Sequence, residues 1–107
     1  MNKDEDSRTM DKKQELKLEH IVAIYERFDR LYDKTESINI NELKQQSKYT
    51  YQQDILKDIR NIQKKLQPYM LKKYNNHQLI EEETDYISLA ETAADYINEE
   101  ISQLIQE

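Results

Sequence analysis

Apolar residues recur along this chain at alternating intervals of three and four, the spacing that lines one face of an α-helix. Leu18, Ile21, Tyr25, Phe28 and Tyr32 follow it, and Ile24 and Leu31 widen the stripe to a core-facing band. The pattern predicts a first helix over about 11–34, with Asp11 placed to cap it. The run Thr35-Glu36-Ser37-Ile38-Asn39-Ile40 interrupts the rhythm. Asn39 followed by Glu42 resembles a capping box and places the start of a second helix near 39–41. Its stripe is Tyr51, Ile55, Ile59, Ile62 and Leu66, although the pattern fades over 44–50. Pro68 lacks an amide hydrogen and clashes with the preceding turn, so the second helix is expected to end near Leu66. Residues 67–77 then form either a turn or a kinked continuation. Asn75-Asn76 is the best remaining reversal, because Asn tolerates the left-handed conformation better than most residues. A third helix is predicted over about 78–106 from Ile87, Ala90, Ala94, Ile97, Ile101 and Leu104. Ala90, Ala93 and Ala94 keep its middle slim, so a neighbouring helix can approach closely. Glu81, Glu82 and Glu83 complement the dipole at its start.

Three one-sided stripes must be buried against each other or against another chain. The expected fold is therefore all-α: an antiparallel three-helix bundle of long amphipathic helices, with a long helical hairpin that dimerises as the alternative. Residues 1–10, MNKDEDSRTM, are polar and aperiodic and read as a flexible arm ahead of a single helical domain over 11–107. No internal repeat of 20–50 residues is evident.

Composition sharpens this. Gly is absent and Pro occurs once. Tight β-hairpins and phosphate-cradling loops call for Gly, whereas long helices avoid it easily. The absence of Cys excludes disulfides, thiolate metal sites and Cys nucleophiles. Hydrophobic residues make up 36% of the chain and charged residues 36%, so the core must be thin. The charged N-terminus has no apolar run behind it and reads as no Sec-type signal, and no stretch has the length of a membrane span. The default location is the cytoplasm.

Net charge −6 conceals a segregation. Residues 44–77 carry eight Lys/Arg against two Asp/Glu, or +6, while residues 78–107 carry nine Asp/Glu and no Lys or Arg, or −9. One reading is that helices two and three lie antiparallel and their charged flanks set the register. The sharper reading is that Lys57, Arg60, Lys64 and Lys65 form a basic docking face.

Candidate chemistry is sparse. His20 and His77 have no distinctive Ser or Asp spacing for nucleophilic catalysis. Consecutive Glu81, Glu82 and Glu83 point to different sides of a helix and cannot converge on one ion, and there is no Glu-x-x-His pair or calcium loop. The reading is no enzyme, no metal and no cofactor. Basic residues with Tyr49, Tyr51, Tyr69 and Tyr74 interleaved suggest phosphate and base contacts, but an acidic chain with a −9 neighbour would repel a polyanion. Eight Tyr against one Phe and no Trp suit large boundary residues or an interface, where Tyr is enriched.

Size, lack of Cys and helical content resemble the small helical partners of Gram-positive type VII secretion, the WXG100-like proteins and the accessory proteins that pair with LXG effectors. Secreted members carry Tyr-x-x-x-Asp/Glu late in a helix. Tyr96-Ile97-Asn98-Glu99-Glu100 matches it, as do Tyr25 to Asp29 and Tyr32 to Glu36. The Trp-x-Gly turn is missing, since the chain has neither residue, and the family has two helices where three are read here. The resemblance implies a helical complex with an effector and export independent of Sec. The sequence thus reads as a non-catalytic interaction module that packs on a protein partner or on itself. A small inhibitor, immunity or antitoxin protein is the alternative, and a nucleic-acid-associated regulator the second. Candidate interface residues are Lys57, Arg60, Lys64, Lys65, Tyr96 and Glu100.

Overall fold

The computed structural model describes residues 16–106 and holds three helices: α1 (Leu18–Glu36), α2 (Gln46–Tyr74) and α3 (Glu81–Gln106). They form a three-helix bundle, and no strand is present among the described residues. Cross-helix contacts give the directions. Gln52 reaches Thr35 and Gln63 reaches Tyr25, so α2 runs antiparallel to α1. Tyr51 meets Glu100 near one end while Lys72 meets Glu83 near the other, so α3 runs antiparallel to α2.

The core is made by the stripes expected from the periodicity. Ile21, Ile24, Phe28 and Leu31 of α1 close against Ile55, Ile59 and Leu66 of α2, and against Ile87, Ala90, Ala94, Ile97, Ile101 and Leu104 of α3. Tyr25, Tyr32 and Tyr51 pack at the boundary with their rings half-buried. Burial of each large side chain contributes about 1.5–3 kcal/mol, which is what overcomes the entropy of ordering long helices.

The ends differ from the sequence expectation in instructive ways. The described part of α1 begins at Leu18, with Lys17 as an N-cap that makes no side-chain bond; the polar arm at 1–10 and the Asp11 cap lie outside the described residues. Helix α2 begins at Gln46 rather than near 39–41, and the Asn39–Glu42 box does not form. Asn41 takes over instead: its Oδ1 accepts the amides of Leu43 (3.0 Å) and Lys44 (3.3 Å), holding one turn ahead of the helix. An Asx-type local bond competes well with helix at such a position. Helix α2 also continues through Pro68 to Tyr74. Pro68 lies on the exposed side, where the carbonyl it leaves without an amide partner can meet water, while Leu66, Tyr69 and Met70 around it pack on the core. Tertiary burial outweighs the local cost of the proline. Helix α3 starts at Glu81, three residues after the expected start.

The Asn75-Asn76 reversal is where the sequence places it. Asn76 has φ 67°, His77 N–H donates to Lys72 O (2.8 Å) and Asn76 N–H to Lys73 O (3.0 Å). This is a Schellman motif with Asn in the left-handed position that Gly usually takes. Asn76→Ala should therefore cost about 1 kcal/mol, and Asn76→Gly should stay within about 0.5 kcal/mol of the parent. Equal thermal melts for the Ala variant and the parent would show the left-handed residue to be unstrained.

Two buried amides complete the bundle. Gln52, 5% exposed, donates to Thr35 O (2.8 Å) in the last turn of α1 and to Ile38 O (2.9 Å) just beyond it. Gln63, 2% exposed, donates to Tyr25 O (3.1 Å) and Asp29 Oδ1 (2.9 Å) and accepts from Arg60 (2.6 Å). These bonds pin α1 to α2 at two heights, which apolar contact alone does not do.

Candidate docking surface

Helix α3 carries two apolar stripes. The first is the buried one. The second is Leu89, Ala93 and Tyr96, spaced by four and three, which lies roughly 100° around the helix from the first. Leu89 is 63% and Tyr96 64% exposed, while Ala93 is half-buried. Because α3 contacts its neighbours along the first stripe, the second is left at the seam with α2. There a shallow groove of about 270 Å³ is lined by Asp58, Asn61 and Ile62 of α2 and by Ala93, Tyr96, Ile97 and Glu100 of α3.

The groove has acidic edges. Glu100 accepts a hydrogen bond from the Tyr51 hydroxyl at 2.7 Å. Burial, and then the adjoining Glu100 carboxylate, push that hydroxyl up to about 12. Tyr51 thus stays a hydrogen-bond donor across the physiological range and holds the carboxylate at the groove's lower end. Asp58 is exposed beside it. Higher up, Tyr86 packs edge-on against Tyr69 with ring centroids 6.0 Å apart, and Lys65 lies 5.8 Å over the Tyr86 ring.

Of the residues expected at an interface, Tyr96 and Glu100 come together in this groove, one turn apart. The four basic residues do not share one face. Arg60 reaches toward α1, pairs with Asp29 at 3.0 Å and stacks 3.7 Å over the Tyr32 ring. Lys65 turns to α3, and Lys57 and Lys64 are exposed. Arg60 and Lys64 line a different groove, between α1 and α2, with Tyr25, Asn61, Gln63 and Gln67. The flank attraction expected between α2 and α3 includes the Lys72–Glu83 pair at 2.7 Å, while Arg27 of α1 pairs with Asp95 of α3 at 2.7 Å.

Leu89 and Ala93 escaped the sequence reading as docking residues, as did Asp58 and Ile62, the latter named there only as core. The signal for the first two was present, since Leu89, Ala93, Tyr96 and Glu100 repeat at four, three and four. A continuous 3–4 stripe one quarter-turn away masked it.

Two carboxylates respond to the fold. The Gln63 amide, opposed by burial and aided by Arg60, holds Asp29 below its ordinary range. Lys72, together with the Ile80 N–H (2.9 Å), does the same for Glu83. A lowered carboxyl stabilises the fold above its ordinary pKa, and that stabilisation is lost as pH falls through the lowered value. Melting temperature should decline as pH falls below the ordinary carboxyl range of about 4, and Asp29→Asn or Glu83→Gln should each flatten the decline. An unchanged pH profile in both variants would remove these carboxylates from the account.

Among the described residues, no group of three or more His, Cys, Asp or Glu side chains could hold a metal ion, and both histidines are exposed. No helix among them is long and apolar enough to cross a membrane.

The fold and this surface define a small antiparallel three-helix module with one apolar, acid-edged groove on its α2–α3 face. Comparisons with family models, with curated proteins and with solved structures find no match to the chain.

Proposed function

We propose that this chain is a non-catalytic docking module that receives a protein partner on its α2–α3 face. The observation that supports this most is the second stripe of α3. Leu89 and Tyr96 stand about two-thirds exposed on a bundle whose hydrophobic content is low, where an exposed apolar row costs solubility without helping the core. Tyr in such a row suits an interface anchor. A photo-crosslinking residue placed at Tyr96 in the native host should give a discrete adduct, and the same residue at Arg30, on the exposed side of α1, should give none. Equal labelling at both positions, or none at Tyr96, would refute the docking reading.

One observation favours the secretion-associated version. Of the three Tyr-x-x-x-acidic copies, Tyr25 and Tyr32 are half-buried, and Asp29 is engaged by Gln63 and Arg60. Tyr96 is exposed on α3. The 96–100 copy is thus the one whose tyrosine stands open to an export apparatus. Tyr96→Ala should keep the chain inside cells that otherwise release it, whereas Tyr25→Phe should not. Release unaffected by Tyr96→Ala removes the export role.

A further inference from the structure

We infer that the occupant of the α2–α3 groove is a basic amphipathic helix of a partner protein. The inference rests on the docking reading and adds the chemistry of the partner.

Shape comes first. The Leu89–Ala93–Tyr96 row and the Glu100 edge cover about three helical turns. The surface is a shallow trough along the α2–α3 seam, lined by Ile62 of α2 and by Ala93 and Tyr96 of α3, with Leu89 exposed two turns before Tyr96 on α3. A helix laid along such a trough presents apolar residues every three and four positions, which matches the spacing of the row.

Charge selects among helices. The residues that line the trough include Asp58 and Glu100 and no Lys or Arg. The whole of 78–107 lacks a cation. Lys65, the nearest base at the upper end, lies over the Tyr86 ring, and Lys72 is committed to Glu83. Glu100 is held toward the trough by Tyr51, so its position is set before a partner arrives. An apolar helix flanked by Lys or Arg would bury its row on Leu89, Ala93 and Tyr96 and pair its flanks with Asp58 and Glu100. An acid-flanked helix would meet like charge along the same path.

The chain itself supplies no such helix among its described elements. The outward side of α2 is basic, but Gln53, Lys57, Asn61 and Lys64 give it a polar row. The outward side of α3 is acidic. A second copy placed on the trough could match charge or apolar surface, but not both.

The test uses the full chain and three synthetic helical peptides of about 18 residues with one shared Leu/Ala stripe, flanked by Lys/Arg, by Glu or by Gln/Ser. Binding is read by fluorescence anisotropy at low salt and at about 0.15 M salt. The Lys/Arg peptide should bind about ten-fold or more tightly than the Glu peptide, with a preference that shrinks at the higher salt. Leu89→Ser with Tyr96→Ser should abolish binding. Asp58→Asn with Glu100→Gln should bring the Lys/Arg and Gln/Ser peptides to equal affinity. Thermal melts of both variants must match the parent, so that loss of binding is not loss of fold. Equal binding of all three peptides at the trough overturns the basic partner and leaves the docking reading in place. No binding of the Lys/Arg peptide, alongside a discrete crosslink at Tyr96 in the host, does the same. Sedimentation showing a dimer that Leu89→Ser with Tyr96→Ser dissociates assigns the trough to a second copy and also overturns it. Failure of the crosslink itself removes the docking reading beneath the inference.

Discussion

Phe28→Ala should destabilise the bundle by about 3–5 kcal/mol, the largest effect expected of any single truncation here. Phe28 is the chain's one phenylalanine and is 0% exposed, packed on α1 between Ile24 and Leu31 and within the same cluster as Ile59 and Ala94. The facing positions on α3 include Ala90 and Ala94, which have no bulk to swing into the void. The cavity would therefore persist, and the cost should lie toward the upper part of the range. Small domains have a total stability of about 5–15 kcal/mol, so the variant should lose a large share of it. Thermal melts followed by circular dichroism should show a drop of about 12 °C or more. A loss under about 1 kcal/mol would mean that the three helices do not meet at Phe28.

The second large effect is electrostatic. Gln63→Glu should cost about 2–4 kcal/mol at neutral pH, although it changes one amide to an isosteric acid. The substitution removes the donor to Tyr25 O and to Asp29 Oδ1, and sets a carboxylate where those oxygens stand 3.1 and 2.9 Å away. Arg60, already 2.6 Å from the Gln63 oxygen, offsets part of the repulsion. Burial and Asp29 would together raise the new acid's pKa. A raised carboxyl costs stability above that pKa, and the cost fades as pH falls through it and the proton restores a donor. The deficit relative to the parent should thus shrink below about pH 5. Gln63→Leu is the control: it loses the same hydrogen bonds without adding charge. A deficit in Gln63→Glu that matches Gln63→Leu at every pH would show that the charge plays no part.

The helix count and the core were readable from periodicity because burial on one face imposes it directly. Ile21, Phe28, Ile59, Leu66, Ile87 and Ile101 were all placed correctly on that ground. The Asn75-Asn76 turn was readable because few residues other than Gly accept a positive φ. Pro68 left residues 67–77 open between a turn and a continued helix, since its local cost is visible in sequence while the packing of Tyr69 and Met70 that offsets it is not. Gln52 and Gln63 went unremarked in the sequence. Nothing in a Gln distinguishes a solvated amide from one aimed at a carbonyl of another helix.

The charge segregation shows the same division. It marks residues 44–77 as basic and 78–107 as acidic, but not which way each side chain turns. Only the arrangement of three helices sends Arg60 to Asp29 and Tyr32, Lys65 to Tyr86 and Lys72 to Glu83. It alone brings Asp58 and Glu100 together along the α2–α3 trough. Sequence by itself determined that the chain is three amphipathic helices with a thin apolar interior, because hydrophobic period is a local property of the chain. Tertiary structure decided which second-best stripe stayed open, because a surface exists only once its neighbours have taken their places.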